Sequence, residues 1–376
     1  MKKILILYAK YGGGHYSAAN SIKNYIDNHY ENAETNIIDC MEYINKAINK
    51  LSTDAYKRIT TNTPRLWKTV YYKSEKGALS KISKNTNKFM ARKLCHLVQE
   101  YSPDVIVSTH MFATQMISYL KRKNKITCTL ATVLTDFAPH EQWLIGHEYG
   151  NYFFVSNDEM RKALVNNFGI DENKVYTTGI PLSEKFSHPF DKDEIFNTFG
   201  LDCNKKTILF FGGGELGIGK DYTVSILHSL TKHLNNYQII AVSGKNKKLN
   251  DAFIDVANQL GNPKELKIFD YITNVPEAMS ICDLVVTKPG GLTSSECLAS
   301  SLPMLIINPI PGQEEENAEF LEKSGIAIWL KPNNNADFVI DNLLNSPDLL
   351  HKMKENTKAI AHTDSTQKIC DIILKI

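Results

Sequence analysis

A chain of 376 residues is long for one hydrophobic core, so two domains are expected. With 43% hydrophobic residues, 22% charged residues and a net charge of +2, it is neither a disordered tail nor a protein held to a polyanion by bulk charge. No stretch reaches the roughly 18 uninterrupted apolar residues of a membrane span, and the apolar part of the opening MKKILILYAKYGGGH is too short for a secretory leader. Seven scattered cysteines (Cys40, Cys95, Cys128, Cys203, Cys282, Cys297, Cys370) form no CxxC pair and read as reduced, mostly buried thiols of a cytoplasmic, soluble or peripheral protein.

In chain order, KKILILYAK is a buried strand running into Tyr11-Gly12-Gly13-Gly14-His15, and a helix from about Ser17 to His29 leads to the strand Thr35–Asp39. Gly12, Gly14 and Ser17 approach a dinucleotide fingerprint, with Asp39 spaced to hold a ribose, which keeps an NAD-dependent oxidoreductase open. His15 at the mouth of this turn is a candidate for proton transfer near neutrality.

Lys57 to Lys93 holds eleven Lys and Arg against one acid, a window of +10 in a chain whose remainder carries −8. Within it, Trp67 and Tyr71 share a helical face, with Arg65, Lys68 and Lys73 around the rim. Aromatic groups among cations predict a surface for an anionic lipid layer, and no nucleic-acid motif accompanies them. A solvated helical face also fits.

Strands at 104–107 and 130–134 end in Ser108-Thr109-His110 and Thr135-Asp136-Phe137, at the edge where α/β sheets bind ligands. The loop after the second groups Asp136, His140 and Trp143. Strands at 152–155 and 175–178 complete an amino-terminal domain, 1–182. Residues 183–204 read as a polar linker with a short helix, in which Asp191 and Asp193 are solvated charge rather than a metal site. The pattern then restarts: strand 207–211 exits into the GxGxxG of residues 212–217, and strand 237–242 ends in Ser243-Gly244-Lys245-Asn246. No acid ends that second strand, so the turn suits a ligand other than a dinucleotide. The second domain spans 205–348, and 349–376 is a helix packing on a domain.

The densest stretch is Lys288 to Asn317, KPGGLTSSECLASSLPMLIINPIPGQEEEN. The buried strand ending at Thr287 feeds Gly290 and Gly291, and Thr293-Ser294-Ser295-Glu296 has the pattern of a capping box. A strand, a glycine turn and a helix N-terminus form an anion site; a plain βα turn is the simpler alternative. After a further strand, Met304–Ile307, the chain places Gln313, Glu314, Glu315 and Asn317 at a strand's carboxyl end, where amides and carboxylates can hold several hydroxyls. Phosphate at one end and polyol at the other describe a nucleotide sugar. Two such α/β domains, each opening with a strand and GGG, predict a central cleft.

YGGGH (11–15), TDFxxHxxW (135–143), GGGxxG (212–217), SGKN (243–246), KPGGLTSSE (288–296) and PGQEEEN (311–317), in this order, resemble the diacylglycerol glycosyltransferases that make galactosyl- and glucosyl-diacylglycerols, of glycosyltransferase family 28. The peptidoglycan N-acetylglucosaminyltransferase is a more distant relative. The resemblance implies the α/β GT-B fold, two Rossmann-like doubly wound domains facing a central cleft. It also implies an inverting transferase moving a hexose from UDP-glucose or UDP-galactose to diacylglycerol or a glycosyl-diacylglycerol on the inner face of the cell membrane.

By the same resemblance His15 is the general base. Tyr271 and Ile272 meet the base of the nucleotide through backbone, and Glu296 meets the ribose. Gly290, Gly291, Leu292 and Thr293 meet the diphosphate, while Gln313, Glu314 and Asn317 meet the sugar. Gly213, Gly214, Ser243, Lys245 and Asn246 line the nucleotide, and Gly14, His110, Asp136, His140 and Trp143 line the acceptor. No cofactor or metal is expected, because Lys288 or Lys245 and the helix terminus offset the leaving-group charge. Plant-type members carry an acid two residues before the first glycine, where this chain has Lys10. Competing readings are a peptidoglycan-type or natural-product glycosyltransferase, the NAD-dependent oxidoreductase, and a membrane-adsorbing, non-catalytic nucleotide-sugar sensor.

Overall fold

The computed structural model describes residues 1–46, 53–56, 58–60, 63–75, 78–213 and 219–375; the side chains of Pro64, Val70 and residues 72–89 lie outside that description. The amino-terminal strands are β1 (Lys2–Tyr8), β2 (Ala33–Asp39), β3 (Val105–Ser108), β4 (Thr129–Val133), β5 (Tyr152–Val155) and β6 (Val175–Thr177). They form one parallel sheet in the order β2-β1-β3-β4-β5-β6. The carboxy-terminal strands are β7 (Lys206–Phe211), β8 (Tyr237–Val242), β9 (Leu266–Phe269), β10 (Leu284–Thr287), β11 (Met304–Ile307) and β12 (Ala327–Leu330). They form a second parallel sheet in the order β12-β11-β10-β7-β8-β9.

The central strands read as apolar runs because helices cover both faces of each sheet. Ile4 and Ile6 of β1 face one layer, with Ile22 and Ile26 of the helix Gly14–His29; Leu5 and Leu7 face the other, with Leu94 and Met116. Strand order reverses around β1 in the first sheet and β7 in the second, and in open α/β sheets the carboxyl ends of the strands at such a reversal are where ligands bind. The YGGGH turn leaves β1 and Gly212-Gly213 leave β7, and the loops after β3 and β10 lie beside them.

The carboxy-terminal segment departs from the single helix expected from 349 onward. Pro347–Ile360 and Ser365–Lys375 are separate helices. Leu350 and Met353 of the first join the second domain's core, whereas Ile369, Cys370 and Ile373 of the last pack on Ile22 and Ile26 of the first domain. The chain thus crosses between the domains twice, at 179–183 and at 361–366. The crossings are tied together by Ser365 Oγ donating to the Ile180 carbonyl (2.8 Å) and the Leu182 amide donating to Thr366 Oγ1 (2.9 Å). In the 183–204 stretch Asp191 caps the helix Lys192–Phe199, accepting from the Asp193 and Glu194 amides. Ile195 and Phe199 of that helix enter the second domain's core.

The basic helix Pro64–Glu75 does not turn its aromatic face to solvent. Tyr71 is 6% exposed; its ring lies 4.4 Å from that of His140 and occupies the space beside Gly312, where a Cβ would fall 2.6 Å from it. The Tyr71 hydroxyl donates to Glu316 (3.1 Å), and Lys68 pairs with Glu315 at 2.8 Å. This corrects the expectation for Tyr71, which is buried on the helix face that meets the carboxy-terminal domain; Lys68, three residues before it, pairs with Glu315 while staying exposed. Trp67 is half-buried, edge-on to Tyr56 at 5.1 Å; Arg65 and Leu66 are exposed, and the Lys73 side chain lies outside the described residues.

Candidate active site

The helix after β1 begins at Gly14, so His15 sits in its first turn rather than in the loop. His15 Nδ1 lies 2.9 Å from the Thr109 carbonyl and 3.0 Å from Thr135 Oγ1, and Thr109 Oγ1 donates back to the His15 carbonyl (2.9 Å). A carbonyl only accepts, so in the neutral ring Nδ1 carries the proton and Nε2 keeps its lone pair. Burial lowers the His15 pKa to about 4, against the opposing pull of the Thr109 carbonyl, which makes the imidazole neutral at physiological pH.

His110 and His140 do structural work at this edge. His110 Nδ1 accepts from the Phe112 amide (3.1 Å), capping the helix Met111–Arg122, while its ring stands edge-on to His15 at 4.5 Å and stacks on Tyr11 at 5.3 Å. His140 Nδ1 caps the next turn through the Gln142 amide (3.2 Å), and burial lowers its pKa to about 4. Trp143 is buried with its ring 6.4 Å from that of His15.

Opposite lies the glycine turn after β10. The helix Gly291–Ala299 starts at Gly291 with no side-chain cap, and its first bond runs from the Ser294 amide to the Gly290 carbonyl (2.9 Å). The expected capping box does not form, because the helix begins two residues before Thr293 and Glu296 falls in its second turn. The amides of Gly291, Leu292 and Thr293 precede the first helical bond, so they are the donors that the helix leaves without an intrahelical partner. Glu296 is half-buried, and desolvation raises its pKa to about 8. Gly291 meets the other domain so closely that a Cβ would stand 1.9 Å from the Thr135 carbonyl oxygen, and a Cβ on Gly14 would lie 3.6 Å from Leu292.

The PGQEEEN segment is also built into this junction. Asn317, 1% exposed, accepts from the Phe137 amide (2.8 Å) and donates to the Pro289 carbonyl (3.0 Å), tying the two domains to the glycine turn. Asp136 is 4% exposed; burial raises its pKa to about 6, while donation from Gln313, Asn317 and Trp143 pulls the other way and Glu314 repels its charge. Glu314 accepts from the Ile310 amide (2.7 Å) and pairs with Lys288 at 3.4 Å. Phe137 stacks on Phe320 across the interface at 5.3 Å.

The structure therefore brings Gly14, His15, His110, Asp136, His140 and Trp143 to one wall and Gly290 to Thr293, Gln313, Glu314 and Asn317 to the other. The nucleotide-side residues divide. Ser243 is fully buried with its hydroxyl on Asn250 Oδ1 (3.2 Å), and Asn246 caps the helix Lys247–Gln259. Lys245 and Tyr271 are exposed, Ile272 is buried, Gly213 has φ +104°, and Gly214 lies outside the described residues. Sequence reasoning did not single out Thr109 and Thr135 as the holders of His15. Their position at two strand ends beside a glycine–histidine turn was the available signal. Asp39 caps the helix Cys40–Ile44 through the Met41 and Glu42 amides, so the carboxylate of the dinucleotide reading has a local duty.

Comparison with known proteins follows this division. Residues 15–182 match the monogalactosyldiacylglycerol (MGDG) synthase family, and residues 207–373 match the glycosyltransferase family 28 C-terminal domain. The chain is 30% identical over 377 aligned residues to the processive diacylglycerol beta-glucosyltransferase of Bacillus thuringiensis (strain Al Hakam), covering 99% of this chain and 93% of that protein. It is 31% identical to the enzyme of the same name from Bacillus cereus (strain AH820), with the same coverage. Among solved structures, Acinetobacter baumannii MurG superposes with a TM-score of 0.66 at 14% identity over 100% of both chains. The S. aureus MnaA–UDP co-structure gives 0.66 at 14% identity over 99% of this chain and 96% of that one, and these likenesses establish the GT-B fold. With this coverage and both domain matches in register with the two walls of the cleft, the chain belongs to the diacylglycerol glycosyltransferase family of the MGDG synthases and processive diacylglycerol beta-glucosyltransferases.

Proposed function

We propose that the protein transfers a hexose, with inversion, from UDP-glucose or UDP-galactose to diacylglycerol or a glycosyl-diacylglycerol at the inner face of the cell membrane. The observation that carries this is the facing of His15, with Nε2 left as its lone pair, and the uncapped helix N-terminus at Gly291 across a cleft one residue contact wide at Gly14 and Leu292. The acceptor hydroxyl gives its proton to His15 Nε2 as its oxygen bonds the anomeric carbon. The bond from that carbon to the β-phosphate oxygen breaks, and UDP leaves carrying the electron pair. The amides of Gly291 to Thr293 stabilise the departing diphosphate in place, with no reorganisation needed at the moment of transfer. Lys288 and Lys245 offset its charge, so the reading calls for no metal or cofactor. Lys288 does so while shared with Glu314.

Glu296 holds the ribose, and Gln313 with Glu314 holds the hexose hydroxyls. Asn317 supports both by fixing the Pro289 carbonyl and the Phe137 amide rather than by touching sugar. No helix among the described residues is long and apolar enough to cross a membrane, so a lipid acceptor is met from the surface. The decisive experiment is His15→Ala with UDP-hexose and diacylglycerol vesicles. UDP affinity stays as in the wild type and turnover falls on the order of 10²-fold or more, the scale of a lost general base. Wild-type turnover in the variant would remove His15 from the reaction. Competition by UDP-N-acetylglucosamine equal to that by UDP-glucose would move the assignment toward the peptidoglycan-type donor.

A further inference from the structure

The PGQEEEN clamp is not built by its own domain alone. Gly312 turns at φ +91°, a conformation side chains rarely adopt, and the Tyr71 ring of the amino-terminal domain fills the space beside it, leaving no room for a Cβ. The residues that follow Gly312 are gripped from the same side: Lys68 on Glu315 at 2.8 Å, Tyr71 on Glu316 at 3.1 Å, and the Phe137 amide on Asn317 at 2.8 Å. Between them Asp136 is buried, and Gln313, Asn317 and Trp143 are the polar neighbours that favour its charged form. An ionised carboxylate only accepts, so the end of Gln313 that favours the Asp136 charge is its amide nitrogen, which leaves its carbonyl Oε1 for another donor.

We propose that Asp136 and Tyr71 are positioning residues for the hexose of the donor: Tyr71 sets the Gly312 turn and Asp136 orients the Gln313 amide so that its carbonyl oxygen receives a sugar hydroxyl. Asp136 thereby works on the donor half from across the cleft rather than on the acceptor. This rests on the reading of Gln313 as a hexose ligand. UDP alone, bound by the helix N-terminus and Glu296, does not sense either residue, whereas UDP-hexose does. The hexose is read only when the acceptor domain is in place.

Calorimetric titration of wild type, Tyr71→Phe, Tyr71→Ala, Asp136→Asn and Asp136→Ala with UDP and with UDP-glucose or UDP-galactose tests this. The readout is the ratio of UDP-hexose to UDP affinity, and the UDP arm also reports that each variant is folded. Tyr71→Ala and Asp136→Ala lower the ratio about tenfold or more, the worth of a hydrogen bond to a charged group, with KM for the donor rising in step. Tyr71→Phe, which keeps the ring, restores most of it. In the wild type the ratio falls as pH drops through about 6 and Asp136 is protonated. Asp136→Asn removes that dependence.

The charged and titratable groups facing Asp136 are Glu314, held by Lys288, and Tyr56, whose hydroxyl stays protonated throughout this range. His15 and Glu296 act equally on both ligands and cancel in the ratio, and the Asp136→Asn arm separates the contribution of Asp136 from that of Glu314. Unchanged ratios in both alanine variants, or equal losses for UDP and UDP-hexose, overturn the proposal. A wild type that binds UDP and ignores the hexose overturns the assignment of Gln313 and with it the proposal.

Discussion

Glu296 lies in the second turn of the helix after the glycine turn, where desolvation favours its protonated form up to about pH 8. In the proposed role of Glu296 the ribose hydroxyls donate to its carboxylate, so nucleotide binding would select the ionised form and release a proton. UDP affinity in the wild type therefore rises with pH up to about 8, and Glu296→Gln loses both that rise and affinity. Calorimetry in two buffers of different ionisation enthalpy measures the released proton directly. The empty protein carries the opposite linkage. Between the ordinary carboxylate range and about pH 8 the folded state holds a proton the unfolded chain has released, so stability declines as pH rises through this window. Melting temperatures of the ligand-free wild type fall between pH 5 and 8 by more than those of the Gln variant. Equal slopes would mean that Glu296 is ionised in the empty site.

Elements carry these residues to the cleft, and the meeting point of two of them is Gly291 against the end of β4. A methyl at position 291 would stand 1.9 Å from the Thr135 carbonyl, a backbone atom with no rotamer to yield. Gly291→Ala keeps the second domain folded and UDP-binding but holds the domains apart, so turnover falls about 10²-fold, the cost of displacing reacting groups by an ångström. Small-angle scattering of the UDP complex shows the wider separation; an unchanged envelope with normal turnover would refute it.

The same elements show what the sequence discloses. Central strands such as Lys2–Tyr8 and Met304–Ile307 announce themselves as apolar runs because both faces are covered. Leu266–Phe269 and Ala327–Leu330, the two edges of the second sheet, went unnamed because one flank of an edge strand lacks a partner and its residues stay half-buried. At the site, the glycine turns and His15 were legible from local spacing. The duties of Thr109, Thr135 and Tyr71, and the clamping role of Asn317, were not, because each depends on a partner at least 94 residues away.

For the molecule as a whole, charge is unevenly distributed along the chain. The Lys57–Lys93 window carries +10 and the rest of the chain −8. Part of that charge is spent internally, since Lys68 holds Glu315 and Lys93 donates to the Ile44 carbonyl at 2.9 Å. Exposed Arg65 and Leu66 stand beside Lys68 on the same helix, so the segment that meets the helix Gln313–Lys323 also presents a cation and an apolar side chain outward. Each Lys or Arg at an anionic surface contributes about 1 kcal/mol, and this attraction fades within a Debye length of about 10 Å at 0.1 M salt. Cosedimentation with vesicles containing phosphatidylglycerol is therefore strong at low salt, weakens as salt rises, and is weak with phosphatidylcholine alone. Arg65→Gln together with Lys73→Gln reduces sedimentation while leaving the donor KM near the wild-type value. Lys68→Gln raises the donor KM, because it loosens Glu315 at the start of the clamp helix. Sedimentation that ignores lipid charge would reduce the basic window to a solvated face and leave lipid contact to other parts of the amino-terminal domain.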